Sequence, residues 1–99
     1  MTNYRVTPRA RDDLKNIGRY TEQKWGKLQR NKYLKQLESR FEWLAENPLL
    51  DKSRSNIGLG FYSYPQAEHI VFYRCRLEVI EIIGVLYQEM DVLHYFSEY

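Results

Sequence analysis

Apolar residues recur along the first half of the chain at steps of three and four. Ala10, Leu14, Ile17, Thr21 and Trp25 form one stripe; Tyr33, Leu34, Leu37, Phe41, Leu44 and Ala45 form a second. That period predicts two amphipathic helices, each with one buried face. Local signals bound both. Thr7-Pro8 reads as an N-cap followed by proline at the first helical position, and Asp12 and Asp13 follow near the first turn, where the helix dipole favours anions. Gly26 closes the first helix. The second starts between Lys27 and Arg30 and runs to Glu46. Asn47-Pro48 stops it, because the residue before proline is biased away from helix. So short a connection at Gly26 folds the pair into an antiparallel hairpin. Gly18 falls on the first stripe at a propensity cost of up to about 1 kcal/mol, which predicts a close approach between the helices.

The pattern then changes period. Asn3 to Val6 is short and mixed, as an edge strand would be. Phe61 to Tyr64, ended by Pro65, Ile70 to Arg74, and Val79 to Tyr87 read as three strands, the last two rich in β-branched and aromatic residues. Short turns between them favour an antiparallel meander. Leu49 to Gly60 is a polar connector, expected to be the most mobile internal segment. Gln88 to Tyr99 reads as a short helix or a mobile tail. The order strand, helix, helix, strand, strand, strand predicts an α+β fold, a helical hairpin on one face of a small antiparallel sheet. One strand strains that picture. Strict alternation puts Ile80, Ile82 and Leu86 on one face of the last strand and Val79, Ile83 and Val85 on the other, with only Glu81 and Gly84 interrupting. A strand apolar on both faces is normally covered on both. Sheet curvature, the C-terminal segment or a second chain must cover the face that the helices leave.

Composition narrows the classes. Ninety-nine residues, of which 43% are hydrophobic and 28% charged, suit one soluble domain over residues 1–99. No apolar run approaches a membrane span of about 20 residues. Met1 to Arg5 lacks the apolar core of a secretory signal, so the cytosol is expected. Residues 1–47 hold 11 Lys+Arg against 6 Asp+Glu, a balance of +5, and residues 48–99 hold 4 against 7, a balance of −3. The basic helical layer is either a solvated surface or a docking surface for an acidic partner.

Candidate chemistry is sparse. Gly58-Leu59-Gly60 lacks the lysine and helix start of a phosphate loop. No metal or cofactor site is expected: His69 and His94 stand apart, and Cys75 is the only cysteine. One enzymatic reading exists. Arg74, Arg76, Tyr87, His69 and Glu81 are the residue types that metal-free RNA cleavage through the 2′-OH needs, a base, an acid and cations for the phosphate. Against it, the sheet half is net acidic. Trp43 and Tyr20 lie off their helical stripes, which points their rings at solvent or at a partner.

Taken in order, these residues resemble the ParE-like toxins of the RelE/ParE superfamily of bacterial toxin–antitoxin modules. The resemblance runs through Tyr20-Thr21, Trp25-Gly26, Leu44-Ala45-Glu46-Asn47-Pro48, His69-Ile70-Val71-Phe72-Tyr73 and Met90-Asp91. It implies a small toxin held harmless by a cognate ParD-like antitoxin, which is the second chain the apolar sheet face calls for. The ParE branch is similar to poisons of DNA gyrase and implies no enzymatic activity and no direct nucleic-acid contact except through the antitoxin complex. The RelE branch resembles ribosome-dependent mRNA nucleases. Two departures keep that branch, and an inactive antitoxin-binding relative, as alternatives. Gly60 is followed by Phe61-Tyr62 where ParE-like chains often carry an arginine, and Tyr87 stands where they often carry histidine. On the first reading Tyr87, Met90, Asp91 and Phe96 meet the target, and Tyr20, Trp43, Ile83 and Val85 meet the antitoxin.

Overall fold

The computed structural model describes residues 4–47, 52–53, 60–76, 79–89 and 95–96. Its elements are β1 (Tyr4–Val6), α1 (Pro8–Trp25), α2 (Lys27–Glu46), β2 (Lys52–Ser53), β3 (Phe61–Gln66), β4 (His69–Arg76) and β5 (Val79–Tyr87). The helix signals act as the sequence predicts. The Thr7 hydroxyl accepts the Ala10 N–H at 3.2 Å, Pro8 opens α1, and Gly26 closes it at φ 90°. Gly18 faces α2 as expected, but a Cβ there would stand 3.4 Å from Leu34 Cδ1, about ordinary contact, so the helices lie close without requiring glycine. Asp13 is no dipole partner; it lies beyond the first turn and bonds elsewhere.

The strands run β1-β5-β4-β3-β2 across the sheet. β3, β4 and β5 form the expected antiparallel meander, but β1 pairs parallel to β5, so the sheet is mixed. Antiparallel pairing follows from short hairpin turns. The helical hairpin separates β1 from the meander and frees it from that rule. Thr7 secures the arrangement by giving both its N–H and its hydroxyl to Ile82 O, each at 3.1 Å. Two strand ends also move. β3 runs through Pro65 to Gln66, where proline is tolerated because β2 reaches only Tyr62 and Ser63 and leaves β3 an edge. The two-residue β2 lies within the segment read as a connector; the rest of that segment is outside the described residues.

β5 does not alternate strictly. Phe72 pairs with Gly84 and the next residue, Tyr73, with Ile82, so an irregularity leaves Ile83 without a partner on β4. Two successive residues, Ile83 and Gly84, then face away from the helices, and the alternation downstream is inverted. Ile80, Ile82 and Val85 pack under the helices with Leu37, Phe41 and Leu44. Ile83 and Leu86 pack on the other face with Phe61, Phe72 and Phe96. The strict assignment of Leu86 and Val85 is therefore reversed.

The chain itself covers much of the second face. Tyr95 and Phe96 are helical, and the Phe96 ring lies 5.2 Å from Phe72 and 6.4 Å from Phe61. Gly84 makes room for them. A Cβ there would stand 3.0 Å from Leu86 Cδ1 and 3.2 Å from both the Phe96 and Tyr95 rings. Gly84→Val is expected to push these rings off the sheet and cost about 1–3 kcal/mol, the usual range for overpacking. Thermal unfolding checks it; an unchanged midpoint would contradict the packing described.

Candidate functional site

One end of the sheet and the middle of α1 enclose a cleft of about 360 Å³, lined by Asp13, Asn16, Ile17, Tyr20, His69, Val85 and Tyr87. The periodicity of α1 places Asp13, Ile17 and Tyr20 along one side. His69 and Tyr87 are cross-strand partners at the ends of β4 and β5, with rings 5.6 Å apart. Two tyrosines form its exposed rim: Tyr20 is 50% and Tyr87 38% exposed.

His69 is anchored through Tyr33. The Tyr33 hydroxyl lies 3.1 Å from Gln66 O and 2.7 Å from His69 Nδ1. A phenol has one proton to donate, and the carbonyl can only accept. Tyr33 therefore donates to Gln66 and accepts from Nδ1–H. Burial pushes the imidazole below its ordinary value, against the opposing pull of Glu68, and pushes the Tyr33 phenol up to about 12. Tyr87 is raised mainly by the neighbouring Glu68 carboxylate. Lys24 donates to the Tyr20 hydroxyl at 3.0 Å, which raises its own pKa.

Asp13 ties the cleft to the C-terminal segment. Its Oδ2 accepts the Val85 N–H at 3.0 Å and the Tyr95 hydroxyl at 2.6 Å. Burial raises its pKa, with these two bonds opposing. The Arg9 guanidinium lies 3.9 Å from the centroid of the Tyr95 ring and donates to the Tyr95 carbonyl. Nothing in the local sequence marks Asp13 for this role; the signal is a carboxylate on the apolar side of a helix.

The expected site residues separate. Tyr20, Val85 and Tyr87 meet in the cleft, although Val85 is buried as its floor. Ile83 and Phe96 lie buried together on the opposite face, so neither is the exposed contact expected of it. Trp43 does not project into solvent. Its ring packs 5.2 Å from Tyr64, with the Arg40 guanidinium 5.0 Å away, beside an open basic groove. Met90 and Asp91 lie outside the described residues. Two exposed residues escaped the sequence reading. Trp25, placed on the core stripe, is 66% exposed, and Leu28 is 88% exposed.

The residues weighed for RNA cleavage also separate. Arg74 and Arg5 each bond Glu81 at 2.7 Å, and Arg76 lies 4.0 Å from it. Arg74 stands five residues from His69 on β4, roughly 16 Å along an extended strand. The guanidiniums are thus at one end of the sheet and the Tyr87–His69 pair at the other. Among the described residues no three His, Cys, Asp or Glu side chains group to hold a metal ion, and no helix is long and apolar enough to cross a membrane.

The same fold occurs in the chromosomal ParDE TA system from P. aeruginosa, with a TM-score of 0.77 at 16% identity over 90% of this chain and 98% of that one. It occurs also in a YoeB-YefM complex from Staphylococcus aureus, with a TM-score of 0.60 at 24% identity over 89% of this chain and 98% of that one. These likenesses establish the fold. Sequence identifies the family. Residues 4–92 match the family described as ParE toxin of the type II toxin-antitoxin system, parDE. Toxin ParE1 of Caulobacter vibrioides is 38% identical over 92% of this chain and 94% of its own length. Toxin ParE1 of Mycobacterium tuberculosis H37Rv is 32% identical over 92% and 94%, and Toxin ParE of Escherichia coli 33% over 94% and 91%. The chain belongs to the ParE toxin family of type II toxin–antitoxin systems.

The His69 environment has a measurable consequence. Its pKa is depressed below the unfolded value of 6.5, so between the two values the unfolded chain binds more protons. The stability it supports is complete above 6.5 and is lost as pH falls toward the folded value. His69→Gln is expected to flatten the fall in melting temperature between pH 7 and the folded value. A parallel fall in the variant and the original chain would contradict a buried, neutral His69.

Proposed function

We propose that this ParE-family toxin acts by binding DNA gyrase, and that a partner antitoxin neutralises it by covering the cleft between Tyr20 and Tyr87. One observation carries the choice of binding over nucleolysis. RNA cleavage needs a base, an acid and a phosphate-holding cation around one reacting bond. Here Arg74 is spent on Glu81 at the far end of β4 from Tyr87 and His69. His69 is uncharged in neutral solution, and the Tyr87 phenol is raised further from ionisation by Glu68.

The antitoxin part of the reading rests on the cleft and on the relatives. Both structural relatives come from toxin–antitoxin pairs, ParDE and YoeB-YefM. The cleft offers an apolar floor, Ile17 and Val85, between two tyrosines whose rings give large contact area at low entropy cost. Tyr20, expected to meet the antitoxin, and Tyr87, expected to meet the target, stand on the same rim. An antitoxin segment seated there hides the target contact, and neutralisation follows from simple occlusion. Trp43 with its basic groove on α2 extends the same antitoxin path.

A supercoiling assay with purified chain, gyrase, ATP and relaxed plasmid tests the reading. Loss of supercoiling with linear DNA accumulating is expected, and Tyr87→Ala is expected to weaken it by about tenfold, as a rim hot spot would. Full supercoiling in the presence of folded chain would overturn the gyrase reading. In that event a translation assay separates the remaining possibilities: mRNA cleavage abolished by Tyr87→Phe marks the nuclease branch, and no effect on mRNA or growth marks an inactive relative.

A further inference from the structure

The tip of the helical hairpin is unlike the rest of the basic layer. Trp25 ends α1 and Leu28 lies in the first turn of α2; they are 66% and 88% exposed. Isolated exposed apolar residues are ordinary. These two flank a single tight connection, Gly26-Lys27, and neither joins either core cluster. The helical stripe of α1 points Trp25 toward the core side, but the chain turns at Gly26 before any strand reaches it.

The charge around the tip is one-sided. Residues 19–32 hold Arg19, Lys24, Lys27, Arg30 and Lys32 against one acid, Glu22. Glu22 is already paired with Arg30. Among the described residues the other four cations form no salt bridge. The start of α2 adds to the imbalance. Helix N-termini favour acidic side chains and a capping oxygen. Here Gly26 supplies no side-chain cap, no acid occupies the first turn, and the helix opens Lys27-Leu28. Local stability is given up at this turn, and the exposed apolar pair beside cations that lack an acidic partner is what an acidic surface with an apolar recess would complement.

We infer that the hairpin tip, Trp25 and Leu28 with Lys24 and Lys27, docks on an acidic surface of the toxin's target protein and is a second contact besides the cleft. This rests on the proposed binding to gyrase for the identity of the partner, but not for the chemistry of the surface. The tip adjoins the cleft rim, where Lys24 donates to the Tyr20 hydroxyl, so the two surfaces together make a larger contact than either alone. Standard interfaces bury about 800 Å² on each partner.

The test compares the original chain with Trp25→Ser/Leu28→Ser and with Lys27→Glu in the supercoiling assay. The serine pair is expected to raise the concentration for half-inhibition by about tenfold. Lys27→Glu is expected to raise it by about threefold, with the difference shrinking as salt is added. An acid in the first turn suits the helix dipole, so Lys27→Glu melts no lower than the original chain and its defect is not one of folding. Inhibition by both variants within about twofold of the original chain would overturn the inference, at any salt used. If the original chain leaves gyrase untouched, the gyrase reading fails separately, and growth arrest on induction becomes the readout. Arrest retained by both variants then overturns the tip as a target contact; arrest lost by both, with melting intact, sustains it for another acidic partner. Binding of the original chain to phosphatidylglycerol vesicles that both variants lose would overturn it in favour of a membrane surface.

Discussion

β5 has nowhere polar to go. Ile80, Ile82 and Val85 on one face and Ile83 and Leu86 on the other are all buried, and the strand lies inside the sheet between β1 and β4. Burying each of these side chains is worth about 1.5–3 kcal/mol, so both faces must be covered for the chain to fold. The helices cover one. On the other, the irregularity at Ile83 turns Ile83 and Gly84 outward together, and the absent Gly84 side chain admits Phe96 and Tyr95. Asp13 then closes the arrangement, bonding Val85 of the strand and Tyr95 of the covering turn with one carboxylate oxygen. Three distant parts of the chain are held by one half-buried residue, Asp13, which lines the cleft.

The helical half was legible in the sequence because its signals are local. Thr7-Pro8, Gly26 and the three-four stripes specify caps and faces within a few residues of where they act, and the structure follows them. The sheet was legible in order and in its meander, which also depends on short turns. What failed depended on contacts distant in sequence. The parallel pairing of β1 is decided across the whole helical hairpin. The exchange of Val85 and Leu86 between faces needs the irregularity opposite Phe72, and period-two reasoning cannot anticipate it. The burial of Phe96 and Ile83 needs the space above Gly84. Trp43 misled for a related reason: a position off the helical stripe faces solvent only when no strand edge reaches it, and Tyr64 does.

The candidate site was legible in parts. Tyr20 and Tyr87 were singled out separately, one for the antitoxin and one for the target, and the fold brings them to one rim. The charged residues that suggested RNA cleavage were read as one constellation because they lie close in sequence on β4 and β5. On extended strands that proximity is deceptive, since each residue step adds about 3.3 Å. The arginines gather around Glu81 as a structural network, tying β1, β5 and β4 together. Trp25 and Leu28 were hidden by the opposite error: the helical pattern marked Trp25 as core, and only the geometry of the turn exposes both.

The proposed action on gyrase is most directly tested inside cells. After induction of the chain, plasmid topology and full-length mRNA are read from the same culture. Plasmid that becomes relaxed and broken while mRNA stays intact is the expected result. Plasmid that stays supercoiled while mRNA is cut would contradict binding to gyrase and return the Tyr87 end of the sheet to the nuclease branch.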